Sequence, residues 1–216
     1  MNYYKDRATA GRLLADQLKN YRFESCALIA LSEGAVLIAA EIAKKMHGTI
    51  FIFTTDEIDD ENKEAMTALT SQGMFSFTTG YALGQLEEDM DAWRFFTDQR
   101  NLNEFQRLNH IAGKDGTIPK TLLKHHVVIL VSEGIHSALS VKVASHFLHP
   151  VELKKLILAT PIASSDAIDR MHENVDQIFC LRSVDNYISA GHYYEKNDIP
   201  DEKTVVEVMQ NIVFNW

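Results

Sequence analysis

Twice in this sequence a short unbroken apolar run meets Ser-Glu-Gly and passes into a helical period: A-L-S-E-G-A-V at residues 30–36 and L-V-S-E-G-I-H at residues 130–136. An apolar run of strand length suits a strand buried on both faces, the habit of parallel sheets covered by helices. The same alternation continues along both halves of the chain. Ala10, Leu13, Leu14, Leu18 and Tyr21 recur at helical spacing and predict a helix over about residues 7–20. Cys26 to Leu31 reads as a strand, Ala35 to Met46 as a helix closed near Gly48, and Thr49 to Phe53 as a strand. In the second half, Val127 to Val131 reads as a strand and Ile135 to Leu148 as a helix stopped by Pro150. Lys155 to Thr160 is a strand ended by Pro161, Ser164 to His172 a capped helix, Gln177 to Leu181 a strand, and Asp201 to Val213 a helix entered after Pro200. Strands alternating with helices predict an α/β fold with a parallel, doubly wound sheet.

Size and composition bound the partners. A chain of 216 residues hides roughly 70% of its unfolded surface on folding and needs no metal or disulfide staple. With 46% apolar and 24% charged residues, disorder is excluded. Cys26 and Cys180 each sit in an apolar run, which fits a reducing compartment rather than a disulfide framework. No apolar stretch is long enough to span a membrane, and the first residues lack a signal-peptide layout. The expected location is the cytoplasm. Lysine and arginine total 21 against 30 acids, a formal charge of −9 that repels a phosphate backbone. The basic positions at Lys114 to Lys124 and Lys154-Lys155 are too sparse to reverse this, so no nucleic-acid partner is expected.

Residues 56–118 break the rhythm. Asp56 to Glu61 reads as an acidic loop, Met74 to Tyr81 as a β-turn region punctuated by Gly73 and Gly80, and Gln85 to Ile111 as a long charged helix ended by Gly113. Too short for a core of its own, this segment is an inserted hood or lid on a single domain spanning 1–216. Trp93, Phe95, Phe96 and Phe105 within it suit a ligand cover or a subunit contact.

Several motifs, in order, resemble the type I phosphoribosyltransferase family, most closely a bacterial branch of predicted phosphoribosyltransferases. Asp6-Arg7-Ala8-Thr9-Ala10-Gly11-Arg12 followed by Leu14-Ala15 is similar to that branch's D-R-x-x-A-G-R-x-L-A opening. A-L-S-E-G-A-V-L-I-A-A-E-I-A is similar to its A-L-P-R-G-G-V-P-V-A-x-E-I-A, and V-V-I-L-V-S-E-G-I-H-S-A-L-S to its V-I-L-V-D-D-G-I-A-T-G-A-T. V-D-Q-I-F-C-L, A-G-H-Y-Y and D-E-K-T-V resemble its ending. The resemblance implies a parallel, doubly wound sheet of the type I phosphoribosyltransferase type with an inserted hood, a homodimer, and a site for 5-phosphoribosyl diphosphate. On this chain that site maps to Ser132, Glu133, Gly134, Ile135, His136, Ser137, Ala138, Leu139 and Ser140, with the diphosphate loop at Ser32, Glu33, Gly34 and Ala35.

The departures fall on the chemistry. The family's two adjacent acids hold the ribose hydroxyls, and here they read Ser132-Glu133, one carboxylate fewer. In the phosphate turn both hydroxyl positions survive as Ser137 and Ser140, while the glycine has become Ala138. Should that position need a positive φ, alanine costs about 1 kcal/mol or more. In the diphosphate loop an arginine is replaced by Glu33. A unit charge at ~4 Å and an effective dielectric near 20 is worth about 4 kcal/mol, so the reversal disfavours a departing diphosphate. The resulting expectation is a degenerate site that takes a small phosphorylated ligand with weak or no transferase activity. In it Glu133 faces ribose-like hydroxyls, Ser137 and Ser140 face an anion, and Glu33 excludes diphosphate or engages a cationic group instead. No residue is assigned a catalytic role. The alternatives are an active transferase using magnesium on an unidentified acceptor, or a non-binding interaction module.

Two further chemistries rank lower. A-L-S-E-G also resembles a nucleophile elbow, which would make Ser32 a hydrolase nucleophile served by a late histidine such as His192, although the first glycine is missing and the tripeptide's recurrence at Ser132 argues against it. His125-His126, His136, His146 and His149 lack a recognised metal spacing, and the acidic run at 56–61 lacks that of a calcium loop, so no metal site is expected.

Overall fold

The computed structural model describes residues 3–58, 67–70, 75–77 and 118–214. Among them, helix α1 (Arg7–Gln17) leads through a 3₁₀ turn (Leu18–Tyr21) to β1 (Cys26–Ala30), α2 (Glu33–Met46) and β2 (Thr49–Ile52). Three short strands follow, β3 (Thr55–Ile58), β4 (Thr67–Thr70) and β5 (Phe75–Phe77). The second half contributes α3 (Lys120–Leu123), β6 (Val127–Val131), α4 (Leu139–Leu148), β7 (Lys155–Ser164), α5 (Ser165–Met171), β8 (Gln177–Val184) and α6 (Glu202–Phe214). The main sheet runs β2-β1-β6-β7-β8, parallel throughout, as the apolar runs predict.

Every residue of β1 and β6 is buried. Alternate side chains feed two cores, one on each face. Leu28, Ala30 and Ile129 meet Leu14, Ile38, Ile42 and Val205, from α1, α2 and α6. Ala27, Ile29, Val128 and Leu130 meet Leu139, Phe147 and Met171, from α4 and α5. Each large aliphatic side chain buried this way contributes about 1.5–3 kcal/mol, so the two central strands anchor the fold. Asp6 caps α1 by accepting from the Thr9 amide at 2.7 Å, and α1 crosses α2 where Gly11 leaves room. A Cβ there would stand 2.8 Å from the Ile38 carbonyl oxygen.

Several boundaries differ from the sequence reading, each for a reason in the tertiary structure. Helix α2 starts at Glu33 rather than Ala35, because Ser32 caps it by accepting from the Ala35 amide at 3.1 Å. Helix α4 starts at Leu139 rather than Ile135, because Ile135 instead bridges to Ala163 beside the extended end of β7. Pro161 does not end β7, which runs on to Ser164. Beyond Ala159 that strand has lost β6 as a neighbour and pairs with β8, so a missing N–H on the vacated side costs little. β8 likewise runs to Val184 rather than Leu181. Within residues 56–118, Asp56 to Ile58 lie in β3 and not in a loop, because β4 supplies a distant pairing partner, with Asp56 opposite Leu69. Phe75 to Phe77 form β5 on the other side of β4. Residues 59–61, the helix read over 85–111 and its aromatic residues lie outside the described residues.

Candidate functional site at the switch between β1 and β6

After β1 the chain turns to β2 on one side, and after β6 it turns to β7 on the other. The carboxyl ends of β1 and β6 therefore flank the topological switch point, where open α/β sheets bind ligands. Ala30 lies opposite Val131, and the Leu31 amide donates to the Val131 carbonyl at 2.9 Å. Register alone thus brings the two Ser-Glu-Gly turns side by side.

They interlock. The Glu133 carboxylate reaches across to the first turn, where its Oε1 accepts from the Ser32 hydroxyl at 3.1 Å and its Oε2 from Arg7 Nε at 2.6 Å. Gly34 makes the space: a Cβ there would run into Glu133 Oε2 and stand 2.7 Å from Arg7 Nε. Arg7 is only 2% exposed, and four partners hold it. Besides Glu133 it donates to Asn197 Oδ1 at 2.9 Å and the Asp198 carbonyl at 3.2 Å, and it lies 4.7 Å from the centre of the Tyr194 ring. Tyr194 donates its hydroxyl to the Glu133 carbonyl at 2.6 Å. Burial and the adjacent Glu133 push the Tyr194 phenol far above its ordinary range, so it remains a donor at any physiological pH.

The N- and C-terminal parts close over this cluster. The Tyr4 amide donates to the Tyr193 carbonyl at 3.0 Å, and Tyr4 bridges to Tyr194 as a strand would. Tyr3 stacks on Tyr193 with 5.7 Å between ring centroids. The Tyr4 hydroxyl donates to the Pro161 carbonyl at 2.8 Å, and burial raises its pKa to about 12.

The remaining sequence-predicted residues line the second turn. Ser132 is folded into its own turn, accepting from the Gly134 amide at 3.2 Å and donating to the Gly134 carbonyl at 3.1 Å. Gly134 packs against Tyr187, whose hydroxyl would lie 2.5 Å from an added Cβ. Ile135 is buried, and its backbone pairs with Ile162 and Ser164. His136 is exposed and stacks on Tyr187 at 5.4 Å, while its carbonyl accepts from the Ser164 hydroxyl at 2.9 Å. Ser137 accepts from the Leu139 amide at 3.4 Å. Ala138 stands at the start of α4 with φ −79° and gives it no side-chain cap, so the strain considered for alanine at this position does not arise. Leu139 is buried, and Ser140 lies in the first turn of α4. In the first turn, Glu33 opens α2, where a carboxylate suits the helix dipole, and Ala35 is buried beneath it.

The sequence reading missed Arg7, Tyr194 and Asn197. Arg7 stands in the D-R-x-x-A-G-R match, but a lone arginine in a helix's first turn carries no sign that it will be buried. The hydrolase reading fails on geometry, since the Ser32 hydroxyl donates to Glu133 and His192 packs edge-on to Tyr193 instead. Among the described residues no group of three or more His, Cys, Asp and Glu is placed to hold a metal. No helix among them is long and apolar enough to cross a membrane.

Comparison with known proteins agrees with this architecture. Two Mycobacterium tuberculosis proteins, from strains CDC 1551 and H37Rv, carry the name "Putative phosphoribosyl transferase". Each is 24% identical over 200 residues, which is 90% of this chain and 43% of the relative. The chain thus spans less than half the length of the curated relatives it matches. The chain is thus similar to proteins named as phosphoribosyl transferases. No family model matches the sequence. Among solved structures, a Thermus thermophilus protein superimposes with a TM-score of 0.71 at 20% identity, covering 98% of this chain and 99% of that one. A hypothetical protein from Neisseria gonorrhoeae, solved with bound ppGpp, gives a TM-score of 0.53 at 16% identity, covering 96% and 94%. The fold this chain shares with these two structures is a five-stranded parallel sheet flanked by helices.

Proposed function

We propose that this phosphoribosyltransferase-like protein binds a small phosphorylated ligand at residues 136–140 and transfers phosphoribose weakly or not at all. One observation carries the reading: both members of the acid-pair position are engaged within the protein. Ser132 is spent on its own turn, and the Glu133 carboxylate, expected to meet ribose hydroxyls, meets Arg7 and Ser32 instead. The anion end of the site is better preserved. Ser137 and Ser140 flank the start of α4, where backbone N–H groups and the helix dipole favour a phosphate. Glu33 keeps a negative charge at the first turn of α2, against a diphosphate. The neighbour of like fold from Neisseria gonorrhoeae was solved with bound ppGpp, which supports a phosphorylated ligand and, because ppGpp carries diphosphate groups, does not support the exclusion of diphosphate. The protein acts in this reading as a single cytoplasmic domain, a homodimer, and without nucleic acid or membrane.

Calorimetry of the whole chain with ribose 5-phosphate, a nucleoside monophosphate and 5-phosphoribosyl diphosphate, with and without magnesium, tests the proposal. Binding of the monophosphates without a magnesium requirement supports it. Tight magnesium-dependent binding of 5-phosphoribosyl diphosphate, with turnover, would establish an active transferase in its place. No heat with any ligand would leave an interaction module. Glu33→Arg should strengthen inorganic diphosphate binding if the charge argument holds.

A further inference from the structure

The Arg7–Glu133 pair is not built like a surface salt bridge. Arg7 is 2% exposed and the Glu133 side chain 15%. The carboxylate belongs to the second turn, yet it is seated in the first, over a glycine with no room for a side chain. Its own turn does not require it there, because Ser132 and Gly134 satisfy each other. What it meets is a set of donors, the Arg7 guanidinium and the Ser32 hydroxyl. A guanidinium recognises carboxylates and phosphoryl groups alike, through the same forked geometry.

We propose that Glu133 is a built-in anionic occupant: its carboxylate fills the space beside Arg7 and over Gly34 that a ligand's anionic group would take, and so keeps such a ligand out of the first turn. The inference rests on the reading of this end of the sheet as a phosphate-ligand site. It assigns Arg7 as the cation of the blocked subsite and Glu133 as the autoinhibitory contact.

The test uses the full chain with Glu133→Ala, which empties the space, and Glu133→Gln, which keeps its size but removes its charge. Calorimetric titration with inorganic diphosphate should show both variants binding about tenfold or more tightly than the wild type. Acetate, matched in size to the lost carboxylate, should raise the Tm of Glu133→Ala and leave that of the wild type unchanged. Adding Arg7→Met to Glu133→Ala should abolish both gains. Should Glu133→Ala not fold in plain buffer, recovery of folded protein on refolding with acetate is the supporting result, and Glu133→Gln carries the titration. Folded Glu133→Gln without a gain in diphosphate affinity overturns the proposal, as does a gain that survives Arg7→Met. Wild-type binding of ribose 5-phosphate separates the two readings. If it binds and the variants gain nothing, this inference alone fails; if it does not bind and the variants gain, the proposed ligand class fails and the occluded subsite stands.

Discussion

The same three residues, Ser-Glu-Gly, follow β1 and β6, and they fold differently. After β1 the serine caps a helix at once and Glu33 opens its first turn. After β6 the serine closes a small loop on Gly134, and the helix waits until Leu139. The cause lies in the neighbouring strand. β7 continues past the end of β6 to Ser164, so the chain leaving β6 can rejoin it: the Ile135 amide donates to the Ile162 carbonyl at 3.0 Å, and the Ser164 amide to the Ile135 carbonyl at 2.9 Å. The first turn passes directly into helix. A turn motif therefore states that the chain changes direction, while the length of the adjacent strand decides where the next helix begins.

The two glutamates give the largest contrast. Glu133→Ala strands a buried guanidinium and should cost about 3–5 kcal/mol, whereas Glu33→Ala removes a first-turn charge worth about 0.3–1 kcal/mol. Urea unfolding of both variants checks this, and similar losses would mean that the turns are more alike than their hydrogen bonds indicate. The glycines come next. Gly34→Ala pushes into the ion pair and should cost about 1–3 kcal/mol. In Gly134→Ala the added methyl meets the movable end of Tyr187 and should cost less; the difference in Tm measures how tightly the first turn is packed. For the serines, Ser32→Ala loses a helix cap and should cost about 1 kcal/mol. Ser132→Ala loses both hydrogen bonds that a buried hydroxyl makes within its own turn, each worth about 0.5–1.5 kcal/mol, and should cost at least as much.

The smallest effect concerns pH and sets the cap of α2 against that of α1. Ser32 has no charge to lose. Asp6 caps α1 as a carboxylate, and the hydrogen bonds from the Thr9 hydroxyl and amide hold its pKa below the usual value. Its contribution is therefore present above the unfolded-state pKa and is lost as the pH falls through the lower, folded one. Asp6→Asn keeps a cap without this titration, so its stability should fall less steeply than that of the wild type on the acid side. Denaturation midpoints followed from neutral pH downward report the slope.

Much of the frame is legible in the residues. The unbroken runs at Cys26 to Ala30 and Val127 to Val131 have no polar face to offer water, so they must be central strands with helices on both sides. The site was legible as a place and partly as chemistry. The turns at the carboxyl ends of two strands follow from the alternation, but the start of α4 did not, since the helix begins at Leu139 and not at Ile135. The destination of Glu133 was not legible, because nothing in V-S-E-G-I-H distinguishes a carboxylate facing a ligand from one facing an arginine 126 residues earlier in the chain.

By itself, then, the order of apolar runs, caps and glycines determined the layers, the parallel sheet and the edge at which its loops gather, because burial and backbone geometry act over a few residues. Which loop residues touch, and hence whether an acid is offered to a ligand or locked within the protein, was decided only when β1 and β6 came into register and brought Arg7, Gly34 and Glu133 together. Hydrogen bonds and ion pairs depend on distances that the chain acquires only once it has folded.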